Sequence, residues 1–199
     1  MGIRTSQSFI HWNYFVALEN DLAQVSRYIE FDKHNFKTYS IELAHLLLAS
    51  ASEVDVIAKE ICCLLEPTTR AENINNYQAI IRRNIPEFIR ETVYVPRFNL
   101  ILKPWTSWNA RTNPLWWRSY NKVKHERNQH FPEANLKNVL NSVGGLLVTV
   151  FYFYKLKFQS EGVAHDNRDV NEKLGQVLGS SLVFMKLRDD YYYEVIWSG

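Results

Sequence analysis

The strongest constraint on the fold is a long stripe of apolar residues in the last third of the chain. Its members recur three or four residues apart over about five helical turns: Leu136, Val139, Leu140, Val143, Leu147, Val150 and Tyr154. A helix with such a stripe needs other elements to cover it. Gly144 and Gly145 lie inside the stripe and let another backbone approach closely. Residues 149–154 alone fit a strand equally well, and the spacing leaves that alternative open.

Three earlier segments also have helical spacing. Residues 8–31 carry one apolar stripe, and Glu19 lies with other polar residues mostly off it. Residues 40–65 begin at Ser40, a good N-cap because its hydroxyl accepts a bond from an N–H of the first turn. Residues 74–85 form a shorter helix that ends before a proline. The sequence therefore predicts several helices packed side by side.

Four short segments predict strands. Residues 93–95 and 97–102 flank Pro96, which limits them to edge or bulge positions because proline has no N–H to donate. In the tail, residues 181–187 and 191–197 predict a hairpin, and we expect it to pair with the earlier two strands. The predicted fold class is mainly α, an antiparallel helical bundle with a small antiparallel β appendage.

The length and the charge of the chain limit its organisation. A chain of 199 residues has the length of one domain. We predict a single domain over 1–199, with a helical core at about 8–158 and a C-terminal β appendage at about 177–199. The formal net charge of +2 is too small for general attraction to nucleic acid, so such binding needs a local basic patch.

Signals for metals, cofactors and membranes are missing from the sequence. The histidines share no metal-ligand spacing, and no glycine-rich phosphate loop occurs. Cys62 and Cys63 are adjacent on a predicted helix, where they point about 100° apart and make a poor disulfide. The apolar run 143–154 is too short to span a membrane. We therefore expect a cytoplasmic protein with no metal, no cofactor and no membrane partner.

The segment most suggestive of chemistry is the predicted helix over 113–127. Asn113 suits the N-cap position, and Pro114 suits the first helical position, where a missing N–H costs nothing. Arg118 and His125 lie two turns apart on one face, about 10.5 Å along the helix axis. A cation and an imidazole on one face suit a site that holds a phosphate or cleaves RNA.

A supporting set of polar residues accompanies this pair: Asn121, Lys122, Arg127 and Glu53. The first two share the helical face of the pair. In one interpretation Glu53 faces the pair and tunes it, and in the other it lies on a solvated face of its own helix. Nearby tryptophans have the chemistry to stack on bases, but we expect a core cluster instead: Trp105, Trp108, Trp116 and Trp117.

Residues 116–127, with 131–140 after them, resemble the signature segment of HEPN-type proteins. The opening of the second predicted helix at 39–40, together with Glu53 on that helix, is similar too. The resemblance covers about 8–154 and is most specific in the middle signature. That signature consists of an arginine, a short spacer and a histidine near the start of a helix.

Arg118 and His125 match the signature, with six residues between them. The resemblance implies a helical bundle that is often a homodimer and often a metal-independent endoribonuclease of phage-defence or toxin–antitoxin systems. It implies RNA as the substrate and a composite site in which these two residues are catalytic. It also implies products with 2′,3′-cyclic phosphate and 5′-hydroxyl ends. A cognate antitoxin or another defence-system protein is a further expected partner.

One position departs from the family pattern. Active members commonly carry Asn, Asp or His directly after the arginine, and this chain has Ser119. The alternative function is therefore a catalytically inactive HEPN-like domain that binds RNA or a protein partner. A third interpretation is a structural domain in which Arg118 pairs with an acid such as Glu53 and which dimerises through Trp116 and Trp117. An exposed, unpaired Arg118 would disfavour this third interpretation.

Overall fold

The computed structural model describes residues 9–162, 172–176, 184–188 and 191. These residues are mainly helical, with a small antiparallel sheet, which confirms the coarse fold class. The five longest helices of the described residues are α1 Ile10–Val25, α2 Ile41–Leu65, α3 Ile74–Asn84, α4 Leu115–His130 and α5 Leu136–Ser160. Two strands form a hairpin between α3 and α4, β1 Val93–Val95 and β2 Leu100–Leu102.

Helix α5 is the centre of the bundle. It is helical over all 25 residues, so residues 149–154 are helix and not strand. It packs most extensively against α2, and α1 and α4 cover other sides. Among the described residues α5 is the one helix long and apolar enough to cross a membrane, and 83% of its most apolar window is buried in the protein. The apolar run 143–154 is therefore part of a longer apolar helix, most of which packs against the rest of the protein.

The N-terminus of α2 confirms its predicted cap. Ser40 has an extended backbone, and its Oγ accepts a hydrogen bond from the N–H of Leu43 at 3.1 Å. Helix α3 begins in the same way, since Asn73 accepts bonds from the N–H groups of Asn75 and Asn76. Both helices therefore begin where a short polar side chain replaces the missing intrahelical acceptor.

The start of α4 differs from the prediction. The helix begins at Leu115, and Pro114 is itself the N-cap, with an extended ψ of 144°. Asn113 is not the cap, because its amide donates to the side-chain oxygen of Asn75 on α3 at 3.2 Å. Pro114 therefore precedes the first helical residue instead of being that residue.

The start of α5 also differs from the prediction. Pro132 opens only a single 3₁₀ turn, Phe131–Glu133, instead of the next helix. The helix begins at Leu136, after Asn135, whose side chain accepts a bond from the N–H of Asn138 at 3.1 Å. The short turn between α4 and α5 places acidic and amide side chains beside the outer part of α4.

The described part of the C-terminal tail pairs with β1. Tyr94 and Lys186 exchange two backbone hydrogen bonds, at 2.8 and 3.0 Å. Within the hairpin itself Val93 is opposite Leu102 and Val95 is opposite Leu100. The predicted pairing between tail and hairpin is confirmed at this bridge. Most of the predicted hairpin over 181–197 lies outside the described residues.

Helix α1 is shorter than predicted and contains an unexpected buried acid. It ends at Val25, and residues 26–28 form a turn after it. Glu19 was expected mostly off the apolar stripe, but it is fully buried. Its Oε1 accepts hydrogen bonds from the backbone N–H groups of Phe184 at 3.0 Å and Met185 at 2.7 Å. The carboxylate therefore attaches the C-terminal tail to α1.

The tryptophan cluster lies in the core, as predicted. Trp105, Trp108, Trp116 and Trp117 are all at least 94% buried. The indole N–H of Trp116 donates to the carbonyl of Pro104 at 3.0 Å, which fixes the ring. Because both residues are buried, the interpretation in which Trp116 and Trp117 form a dimerisation surface is wrong.

The glycine pair of α5 was expected to let another backbone approach closely. In the structure, neighbouring side chains approach the pair instead. A Cβ at Gly145 would lie 3.1 Å from the ring of Trp116 and 3.5 Å from Pro104. A Cβ at Gly144 would lie 3.4 to 3.6 Å from the side chains of Leu102 and Val93. The α4 indole and the β hairpin therefore pack directly on the helix backbone.

Gly145→Leu is expected to lower the free energy of unfolding by at least about 1–3 kcal/mol, because the added side chain overlaps Trp116. Lys137→Leu is the control, since it adds the same side chain at an exposed position of the same helix and should change stability by less than about 0.5 kcal/mol. Chemical denaturation measures both variants. Equal stabilities would contradict the close packing at Gly145.

Candidate functional site

The outer face of α4 carries the two residues that the sequence singled out. Trp116, Tyr120 and Val123 turn inward and are buried, which directs the opposite side of the helix to solvent. Arg118 and His125 lie on that opposite side, and both are exposed. Their side chains have no hydrogen-bond or ion-pair partner within the described part of the chain. An exposed cation and an exposed imidazole are therefore available to a ligand.

The helix is regular between these two residues and then breaks. Arg118 and His125 are separated by two helical turns, about 10.5 Å along the axis. Glu126, the next residue, has non-helical backbone angles, with φ −137° and ψ 52°. Residues two apart on a helix do not face each other even without a break, so Arg127 and His125 lie on different faces. The single chain thus presents one arginine and one histidine on the regular part of α4.

Ser119, the position that departs from the family pattern, is buried in a hydrogen-bond network. Its hydroxyl donates to Oε2 of Glu133 at 2.8 Å and accepts from the amide of Asn138 at 3.0 Å. The same amide also donates to the backbone carbonyl of Glu133 at 2.8 Å. These bonds connect α4, the 3₁₀ turn and α5. Ser119 therefore has a structural role and does not face the exposed pair.

Lys122 belongs to the same network. Its Nζ lies 2.6 Å from Oε1 of Glu133, and Nδ1 of His130 lies 3.5 Å from that oxygen. The other ring nitrogen of His130 lies 3.4 Å from Glu126. Lys122 lies on the face of Arg118 and His125, as predicted, but its charge is paired. Its role as a supporting cation is thus weakened, because Glu133 offsets the charge.

The Glu133 carboxyl is under opposing influences. Partial burial raises its pKa, while hydrogen bonds from Lys122 and Ser119 and the charges of Lys122 and His130 lower it. The lowering is larger, so the pKa of Glu133 lies below its ordinary value. The carboxylate form is therefore the one that holds the α4–α5 junction.

Acid is expected to weaken this junction. A carboxyl with a depressed folded pKa stabilises the fold above its unfolded pKa, and the contribution disappears as the pH falls through the folded pKa. For Glu133 the loss begins below the ordinary value of 4.5. As the pH is lowered from 7 to strongly acidic values, the free energy of unfolding should decrease less for Glu133→Gln than for the wild type. Glu87→Gln, at an exposed position, is the control, and a Glu133→Gln slope equal to wild type would contradict the assignment.

Two of the supporting residues have other partners. The amide of Asn121 donates to the carbonyl of Trp117, one turn earlier in α4, at 3.1 Å. Glu53 accepts a hydrogen bond from Nδ1 of His11 on α1 at 2.6 Å. Glu53 is thus half of an α1–α2 contact. This corrects both suggested roles next to Arg118, the tuning acid and the structural ion-pair partner.

Arg127 lies at a separate feature. It is exposed and borders a hollow of about 340 Å³ between the start of α2 and the end of α4. Its guanidinium has no hydrogen-bond or ion-pair partner among the residues that the structure describes. It therefore remains available to a ligand, but beyond the break at Glu126.

The sequence interpretation missed Glu133 and Asn138 as partners of α4. Glu133 lies 11 residues after Lys122, across the end of α4 and a turn. Same-face spacing rules apply only within one helix, so they give no signal for such a pair. Cys62 and Cys63 are both free, and the first is buried while the second is exposed. In the described ranges no group of three or more metal-ligating residues occurs.

No protein-family model matches this chain. No curated protein matches it in sequence, and no solved structure matches it in fold. A functional proposal for it therefore depends on its own residues and their geometry.

Proposed function

We propose that this protein is a HEPN-like, metal-independent endoribonuclease in which Arg118 and His125 act on the RNA backbone. The observation that carries the proposal is that both side chains are exposed and unpaired on one face of α4. Their polar neighbours Ser119, Lys122 and Asn121 are all bonded elsewhere. On the regular part of α4, before the break at Glu126, the pair that matches the HEPN signature is free, and a structural ion pair does not explain it.

The chemistry follows from the residue types. The guanidinium of Arg118 binds a non-bridging phosphate oxygen and offsets the charge that grows there in the transition state. His125 supplies an imidazole, the side chain that most often transfers protons in catalysis. The 2′-oxygen of the RNA forms a bond to phosphorus and loses its proton to a base, while the bond from phosphorus to the 5′-oxygen breaks and that oxygen gains a proton. The products are a 2′,3′-cyclic phosphate and a 5′-hydroxyl.

A homodimer completes the site in this proposal. The reaction needs a base on one side of phosphorus and an acid on the other, and one chain offers a single histidine on the regular part of α4. Two copies that meet through the outer face of α4 would supply two histidines and two arginines. Leu115 supports this contact, because it is 48% exposed at the start of the same helix. A cognate antitoxin or another defence-system protein would bind to the same face to block it.

The observations also fit a cytoplasmic location, which we propose with no membrane partner. Both cysteines are free, as expected for a reducing compartment. Burial raises the pKa of the Cys62 thiol to about 12, so this thiol is unreactive.

The buried network at Ser119 favours a second candidate function. The position where active family members commonly carry Asn, Asp or His is committed here to Glu133 and Asn138. A catalytically inactive HEPN-like domain would retain the exposed pair as a phosphate-binding surface for RNA, or as a surface for a protein partner.

Incubation of the purified protein with mixed RNA in EDTA tests the proposal. We expect cleavage without added metal, and fragments that carry cyclic phosphate and 5′-hydroxyl ends. Sedimentation of the same sample should show a dimer. Intact RNA together with retained RNA binding would replace the ribonuclease with the inactive binding domain.

A further inference from the structure

The hollow beside Arg127 lies next to the proposed catalytic face. Six residues line it, from the start of α2 and from the end of α4 and the turn after it: Ile41, Ala44, His45, Arg127, Asn128 and Phe131. Its volume of about 340 Å³ is at the small end of the range for ligand pockets. That size suits one small planar group with its attached atoms.

One side of the hollow is apolar and partly aromatic. Ile41 is 64% exposed there although it is a large aliphatic residue. Phe131 is half-buried, and Tyr39 holds its ring edge-on, with the ring centroids 5.4 Å apart. Exposed apolar and aromatic surface of this kind binds the faces of unstacked bases.

The other side offers hydrogen-bonding groups. Asn128 and Arg127 are both exposed, and neither side chain has a hydrogen-bond partner within the described ranges. An amide can bond to the edge of a base, and a guanidinium can bind a phosphate or stack on a base. On the α2 side, the carboxylate of Glu42 lies 3.8 Å from Nδ1 of His45. The hollow thus combines an apolar wall, an amide and a cation.

The hollow is close to the catalytic face along the chain. His125 and Arg127 are two residues apart, so their Cα atoms are separated by at most about 7 Å. The non-helical backbone of Glu126 lies between them and turns the chain from the outer face towards α2. A strand whose phosphate contacts His125 can therefore place a neighbouring base at Arg127.

We propose that this hollow binds one base of a single-stranded RNA whose phosphate lies at Arg118 and His125. The inference rests on the proposed function and adds to it the substrate class, unpaired RNA, together with the residues that hold the base. A base in a duplex is stacked and paired, so it cannot enter a hollow of this size without being extruded.

The test measures binding without cleavage. The probe is a fluorescein-labelled 2′-O-methyl oligonucleotide, which lacks the free 2′-hydroxyl and cannot be cleaved. Ile41→Glu places a negative charge at the apolar wall, and Val56→Glu makes the same change at a 46% exposed position of the same helix. We expect Ile41→Glu and Asn128→Ala each to weaken binding about tenfold, within the range measured for loss of one base contact. Val56→Glu should bind as the wild type does.

Equal affinities of Ile41→Glu and Val56→Glu would overturn the base site, and so would a wild type that does not bind the oligonucleotide. Weaker binding of a duplex of the same sequence supports it. Mononucleotides that bind as tightly as the oligonucleotide would show a free-nucleotide site and overturn the assignment to RNA.

The ribonuclease proposal is decided separately, by cleavage of unmodified RNA in EDTA by the wild type and His125→Ala. Cleavage with an unaffected Ile41→Glu would remove the base site alone.

Discussion

Replacing His125 with alanine is expected to reduce the rate of RNA cleavage by about 10²–10⁴-fold, the usual contribution of a general acid or base. The side chain is exposed and makes no internal bond in the described structure, so the fold should persist. The free energy of unfolding of His125→Ala should stay within about 0.5 kcal/mol of that of the wild type. The measurement is the initial rate of cleavage of a labelled RNA in EDTA, beside a denaturation curve for each protein.

A matched control separates His125 from histidines in general. His34 is also exposed and lies far along the chain from α4. Within the part of the chain that the structure describes, its ring bonds only to nearby Asp32. His34→Ala should therefore cleave RNA at the wild-type rate. Arg118→Ala should lose activity, and Arg118→Lys should keep part of it, since lysine retains the charge but not the two-pronged bond to phosphate. Cleavage at one common rate by His125→Ala, His34→Ala and the wild type would show that the activity comes from elsewhere.

The helices could be predicted from the sequence because their signals are local. Apolar spacing identified α5, and the hydroxyl of Ser40 identified the start of α2. The starts of α4 and α5 were predicted wrongly, at Asn113 and Pro132, because several neighbouring residues suit the first positions of a helix. Asn75 engages the amide of Asn113, and no rule about the first helical turn anticipates that partner.

The candidate site could be predicted only in part, because its neighbours are distant along the chain. The placement of Arg118 and His125 on one face of α4 follows from helical spacing and agrees with the helix in the structure. The pairing of Lys122 with Glu133, and of Glu53 with His11, depends on how separate elements pack. The latter two residues are 42 positions apart, so sequence spacing carries no information on their contact.

Glu19 shows most clearly how long-range contacts decide the role of a residue. A single glutamate in an amphipathic helix is usually exposed, because burial of an unpaired charge is costly. Here the backbone N–H groups of Phe184 and Met185, 165 and 166 residues away, donate to one carboxylate oxygen. Their side chains and that of Leu187 are buried with it. In a strand or a helix, backbone carbonyls would accept from these two N–H groups. Here the carboxylate of Glu19 accepts from them instead.

Glu19→Ala is expected to lower the free energy of unfolding by about 2–6 kcal/mol, because two buried N–H groups lose their acceptor at about 1–3 kcal/mol each. Glu19→Gln should cost less, since an amide oxygen can occupy the same position. Asp21→Ala changes an exposed acid of the same helix and should be nearly neutral. Chemical denaturation measures stability, and hydrogen exchange at the amides of Phe184 and Met185 shows whether the tail detaches. Slow exchange and unchanged stability in Glu19→Ala would mean that apolar packing alone holds the tail on α1.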